Sequence, residues 1–133
     1  MSGPDTPESD TASTLASLAD EPYCYVTTLG RRTGRPHTIE IWFVLRGHTI
    51  YLLSGGGRRS DWVRNLMQTS DVGVRIGGQR FSGRGRPVDD PDEERLVRDL
   101  LPGKYRPGYT GDLSDWQRRA LPVAIDLSPW ADV

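Results

Sequence analysis

From Tyr23 onward, apolar and polar positions alternate in short runs separated by glycine and proline, which is the period of strands with one face buried. Tyr23–Leu29 reads as a strand rich in aromatic and β-branched residues. Gly30–Pro36 (GRRTGRP) reads as a turn. Thr38–Leu45 alternates cleanly, with Ile39, Ile41, Phe43 and Leu45 on one side and Thr38, Glu40, Trp42 and Val44 on the other. Gly47-His48 is a tight turn into the next strand, Thr49–Ser54. Gly55–Arg59 is a glycine-rich loop. Ser60 or Asp61 is placed to cap a helix over Trp62–Gln68. Val72–Ile76 and Gln79–Val88 form a second hairpin about Gly77-Gly78. Pro91 followed by Asp92, Glu93 and Glu94 opens a helix running to about Leu101. Pro102–Gly111 reads as a loop carrying Tyr105 and Tyr109, Leu113–Ala120 as a short helix, and Leu121–Leu127 as a last strand.

Sequential hairpins pair antiparallel. Six strands with few peripheral helices close most economically into a small barrel, which removes exposed edges. Residues 1–12 have no apolar face and read as a disordered tail, with a short helix possible over 13–20. The expected organisation is therefore an acidic, disordered or weakly helical segment over 1–22 and one mainly β domain over 23–133.

Composition narrows the classes. With 133 residues, 35% of them hydrophobic, the chain can bury one modest core. No run approaches a membrane span, and MSGPDTPESD has neither the basic nor the apolar region of a secretory signal. Cys24 is the single cysteine and there are two histidines, so neither an intramolecular disulfide nor a structural metal site is expected. The cytoplasm is the expected compartment. The net charge of -1 conceals a strong asymmetry. Residues 1–22 carry five acids and no base, whereas residues 23–86 carry eleven arginines against three acids, a net of +8. The middle of the chain should bind something anionic.

No Gly-Lys-Ser/Thr phosphate loop occurs, and Gly55–Gly57 lacks dinucleotide spacing. Three features could carry chemistry. In the first turn, Arg31, Arg32 and Arg35 surround Thr33, Gly34 and His37, with two glycines to turn the backbone and expose amides: a cradle for phosphate or carboxylate, or else a solvated basic turn. Leu53-Ser54-Gly55-Gly56-Gly57-Arg58-Arg59 leads a strand into a helix N-terminus, where bare backbone can meet a flat ring. Arg80, Arg84 and Arg86 alternate along a strand and read as a solvent face; Gly83-Arg84-Gly85-Arg86-Pro87 also has the composition of a minor-groove hook, which an acidic chain makes an improbable use. Glu40 is a weak acid/base candidate, more simply a solvated or arginine-paired carboxylate.

Thr27-Thr28-Leu29-Gly30-Arg31-Arg32-Thr33-Gly34-Arg35-Pro36 resembles the T-T-x-G-R-x-[ST]-G-x-P signature of deazaflavin-dependent nitroreductase-like proteins. Asp61-Trp62 with Asn65-Leu66 is similar to that family's W-x-x-N-L, and Arg119-Ala120-Leu121-Pro122-Val123 to its R-x-[IL]-P-V terminus. The resemblance spans about residues 23–127. It implies a split β-barrel related to flavin-binding pyridoxamine-phosphate oxidases, binding coenzyme F420, a deazaflavin with an anionic tail. By position, Arg31, Arg32, Thr33, Gly34 and His37 would hold the phosphate and tail. Leu53, Ser54 and Gly55 would meet the ring, and Arg59, Trp62 and Asn65 would frame the pocket. Trp42, Glu40, Tyr105 and Tyr109 would face substrate, with Ser54, Tyr105 and Tyr109 as candidate catalytic groups. The activity implied is hydride transfer from reduced F420 to a quinone, nitroaromatic or activated alkene. An FMN-dependent enzyme on the same barrel and a non-catalytic cofactor carrier stay open, as do monomer and homodimer.

Overall fold

The computed structural model describes residues 15–128. Seven antiparallel strands form one sheet that curls into a half-barrel: β1 (Cys24–Leu29), β2 (Pro36–Ile41), β3 (Val44–Arg46), β4 (Thr49–Ser54), β5 (Asp71–Ile76), β6 (Gln79–Pro87) and β7 (Leu121–Leu127). Their order across the sheet is β2-β1-β5-β6-β7-β4-β3. The helices α1 (Asp61–Gln68), α2 (Pro91–Tyr105) and α3 (Ser114–Arg119) pack around it. The mainly β class and the barrel architecture agree with the sequence reading.

The strand count is seven rather than six because the single strand expected over Thr38–Leu45 is broken at Trp42-Phe43. There the backbone is satisfied by side chains instead of a neighbouring strand. Phe43 N–H donates to Tyr105 Oη (2.9 Å), and Phe43 O accepts from Lys104 Nζ (3.0 Å). Buried peptide groups need partners, and these substitute for a ladder. The alternation survives the break. Phe43 lies in the main core with Ile39, Ile41 and Leu45 packed against it, while Trp42 and Val44 pack on a second cluster.

These two clusters explain why β4 and β7 are almost wholly apolar. Ile50 and Leu52 face the barrel interior with Val123 and Ile125; Tyr51, Leu53 and Ala124 face outward, where Val97 and Leu101 of α2 cover them. Strands buried on both faces read as continuous apolar runs. Residues 15–18 are helical and place Leu15 and Leu18 in the main core. The tail expected over 1–12 lies outside the described residues.

One further expectation is corrected. α2 does not stop at Leu101 but runs through a buried Pro102 to Tyr105. Proline removes the bond that would reach the carbonyl of Arg98. Gln117 Nε2 of α3 supplies it instead (2.8 Å), and Arg98 Nη1 reciprocates to Gln117 O (2.7 Å) and Ala120 O (2.9 Å). The segment Gly83–Pro87 belongs to β6, the strand expected there. A Cβ on Gly83 would meet Ile125 Cγ2 at 2.6 Å, so only glycine lets β7 approach. Arg86 is engaged by Glu93 through two 2.8 Å bonds and by Asp126. The α2 start is as expected: Pro91 sits in the first turn, and Asp90 caps through a bond from Glu93 N–H.

Candidate functional site

The β1–β2 turn closes on itself. Gly30 N–H donates to Arg35 O and Gly34 N–H to Gly30 O, both at 2.8 Å, with Gly34 at φ 71°. The amides of the two glycines are therefore used inside the turn, and Gly34 serves its shape. A cleft of about 450 Å³ adjoins the turn, walled by Arg31, Arg32, Thr33 and His37 on one side and by Asp61, Trp62 and Asn65 of α1 on the other.

Arg31 is fixed rather than free. Its Nη1 donates to Asn65 Oδ1 (3.0 Å), its backbone N–H to the same oxygen (3.1 Å), and its Nη2 to Asp61 (3.2 Å). Asn65 is buried, and its Nδ2 donates to Thr28 Oγ1 (3.1 Å). This polar network orients the guanidinium along the cleft before any ligand arrives. Arg32, Thr33 and His37 are exposed, and among the described residues Arg32 and Arg35 have no ion-pair partner. Gly30 keeps the floor open, because a Cβ there would lie 2.8 Å from both His37 Nε2 and Thr33 Oγ1.

The chain leads directly from this cleft into a second one. His37, Thr38 and Ile39 line the first; Glu40, Ile41 and Trp42 line the second, a cleft of about 430 Å³ completed by Tyr23, Leu53, Tyr109 and Trp116. Trp42 stacks on Tyr105 (centroids 4.2 Å apart, 3° between planes). Tyr109 and Trp116 each stand at 86° to Trp42, at 5.8 and 5.5 Å. Tyr109 is 45% exposed. Glu40 accepts a bond from Tyr25 Oη (3.0 Å), not from an arginine.

Several expected site residues line neither cleft. The Ser54 hydroxyl is buried and consumed locally, donating to Gly57 O (3.0 Å) and sharing a hydrogen with Ser60 Oγ (2.9 Å). Ser60 consequently makes no side-chain cap on α1. Gly55 and Arg59 line neither cleft. Tyr105 contributes its ring but not its hydroxyl, which accepts from Phe43 N–H and lies within 2.7 Å of Pro22 O and 3.0 Å of Phe43 O. Burial pushes its phenol up to about 12, so it stays protonated and spent. Tyr23 and Trp116 went unnoticed in the sequence. Trp116 left a signal: a lone large apolar residue in the polar helix SDWQRR.

Among the described residues, no group of three metal-ligating side chains exists, and no helix is long and apolar enough to cross a membrane. The fit to a flat polyanion rests on the donor set: a preset guanidinium, a free one, a hydroxyl and an imidazole beside an indole wall. Similar solved structures share the fold. An F420-H2-dependent reductase aligns with TM-score 0.63 at 19% identity, covering 80% of this chain and 94% of that one. An FAD-binding protein from Mesorhizobium loti aligns at 0.61 and 16% identity, covering 87% and 88%. A haem-storage protein from Vibrio cholerae aligns at 0.67 and 13%, covering 87% and 89%. One barrel thus carries different redox groups, and the fold alone does not choose among them. The choice is made by the family model that matches residues 6–128: the chain belongs to the F420H(2)-dependent quinone reductase family, it is an F420-dependent oxidoreductase, and F420 is its cofactor.

Proposed function

We propose that the protein reduces a planar quinone-type acceptor with reduced F420, holding the cofactor's anionic tail in the arginine cleft and the acceptor in the aromatic cleft. One observation carries this reading: residues 37–42 run continuously from a cationic cleft into an aromatic one. An anionic cofactor tail and a flat acceptor that must meet the same cofactor require two such environments side by side.

When bound, F420 in its reduced form supplies a hydride equivalent to the acceptor. The chain's own residues bind and orient. Arg32, Thr33 and His37 neutralise and hydrogen-bond the tail, while Arg31, held by Asn65 and Asp61, presents a preset donor face. Trp62 forms the indole wall of that cleft. Across the shared strand, Trp42 offers a ring face to the acceptor, and Leu53 and Trp116 exclude water around it. Quinone reduction also consumes one proton. Tyr109, whose ring reaches solvent at the cleft mouth, is the tyrosine suited to pass a proton to the acceptor oxygen and regain it from water.

The test is spectrophotometric reoxidation of reduced F420 with menadione as acceptor. Turnover by the wild type, with KM for reduced F420 raised in Arg32→Ala and KM for menadione raised in Tyr109→Ala, supports the division of labour. Turnover indifferent to both substitutions defeats it.

A further inference from the structure

The aromatic cleft contains one charge, and its sign is opposite to that of the cleft beside it. Glu40 lines it together with four aromatic residues (Tyr23, Trp42, Tyr109 and Trp116), and no arginine or lysine lines the space. In a segment with eleven arginines among residues 23–86, an acid left without one stands out. Among the described residues Glu40 makes no ion pair, and its carboxylate has one hydrogen bond, which Oε1 accepts from Tyr25 Oη at 3.0 Å. The nearby cation Arg75 is turned onto the opposite task, stacking on the Tyr25 ring at 4.3 Å. Tyr25 sits directly across from Glu40 in the β1–β2 register. Its hydroxyl steadies the carboxylate while leaving the second oxygen available to a ligand.

We propose that Glu40, together with the rings of Trp42 and Tyr109, makes the aromatic cleft selective for flat acceptors that carry a positive charge, and that it turns anionic ones away. The inference rests on the reading of this cleft as the acceptor site. Its physics is that of an aromatic cage. Ring faces attract cations through their quadrupole, and a carboxylate at the rim adds a direct partner. Tyr105 stacks on one face of Trp42, while Tyr109 and Trp116 stand perpendicular to that ring, so three further rings are grouped about it. Discrimination also needs a repulsive element. Glu40 supplies it, keeping anions in the arginine cleft, where the cofactor tail belongs.

Calorimetric binding of three probes of one shape tests this without turnover: 1-methylquinolinium, quinoline at a pH where it is neutral, and naphthalene-2-sulfonate. The wild type should bind the cation about tenfold more tightly than the sulfonate. In Glu40→Gln, an exposed and nearly isosteric change, that ratio should fall to about twofold. Tyr109→Ala should weaken the cation and leave the urea midpoint in place, locating the probe in this cleft. Equal affinity for cation and anion in the wild type, a preference that persists in Glu40→Gln, or cation binding indifferent to Tyr109→Ala overturns the proposal. A second arm, turnover of matched trimethylammonium- and sulfonate-bearing naphthoquinones, separates the two readings. Turnover without charge preference sinks the selectivity and keeps the reductase; charge-selective binding with no quinone turned over sinks quinone reduction and keeps the selectivity.

Discussion

Replacing Tyr105 with phenylalanine separates a brace from a catalyst. Phe43 is fully buried, and its N–H has the Tyr105 oxygen as its partner at 2.9 Å. Removing that oxygen strands a buried donor, which costs about 1–3 kcal/mol. The other bonds are recoverable. Phe43 O keeps Lys104 Nζ at 3.0 Å, and Pro22 is exposed, so its carbonyl turns to water. The ring stack on Trp42, at 4.2 Å, survives the substitution. The expected loss is therefore about 2 kcal/mol, which lowers the urea midpoint by about 1 M at a slope of about 2 kcal/mol per M. Because the hydroxyl faces backbone and not substrate, kcat with saturating reduced F420 and menadione should stay within about twofold of wild type. Urea unfolding followed by tryptophan fluorescence and a steady-state assay on the same preparation decide the matter. A kcat lowered tenfold with an unmoved midpoint would show that Tyr105 delivers a proton and that its hydrogen bonds to Phe43 are incidental.

Three other outcomes are expected. The double variant Arg31→Ala, Arg32→Ala should weaken F420 binding about tenfold or more in a titration followed by fluorescence quenching, since each charge-assisted bond to the tail contributes about 1.5–3 kcal/mol; unchanged affinity rejects the cradle. Gly30→Ala places a Cβ 2.8 Å from His37 Nε2 and Thr33 Oγ1, so F420 affinity should drop severalfold while the urea midpoint moves less than in Tyr105→Phe, both side chains being exposed. Stability should also fall on acidification: the Arg86 guanidinium holds the Glu93 carboxyl below its ordinary 4.5, so the contribution of the pair is complete above that value and is lost as pH falls through the lower folded value. Glu93→Gln should reduce stability at neutral pH and flatten the decline below about pH 4.5, measured as urea midpoint against pH.

Local pattern specified the strands wherever local pattern was the cause. Thr49–Ser54 and Leu121–Leu127 have the bounds their residues imply, and the alternation through Ile39, Ile41 and Phe43 assigns faces even across a break in the strand. The break itself was illegible because its cause is remote: Tyr105 lies 62 positions from Phe43. Pro102 misled for a similar reason, as the residue that repairs its missing hydrogen bond belongs to another helix. At the candidate site, charge density alone pointed to the Arg31–Arg32 turn, since like charges concentrate there whatever the fold does. Ser54 looked chemical by position in the sequence, but which oxygen a hydroxyl bonds depends on the loop's path, and here that path returns Gly57 and Ser60 to it. The aromatic cleft is assembled from residues 23 to 116, a distance no periodicity spans.

The two outer strands of the sheet, β2 and β3, are consecutive in the chain, and the dipeptide Trp42-Phe43 is all that joins them. The barrel's slit is thus stitched by its own backbone. Ile41 and Val44 are three peptide steps apart, so at that point the lips can never part by more than about 11 Å. Thermal breathing can widen the gap elsewhere but not at this tether. Any motion that opens the two edges must therefore pivot about this two-residue hinge, with the gap growing with distance from it.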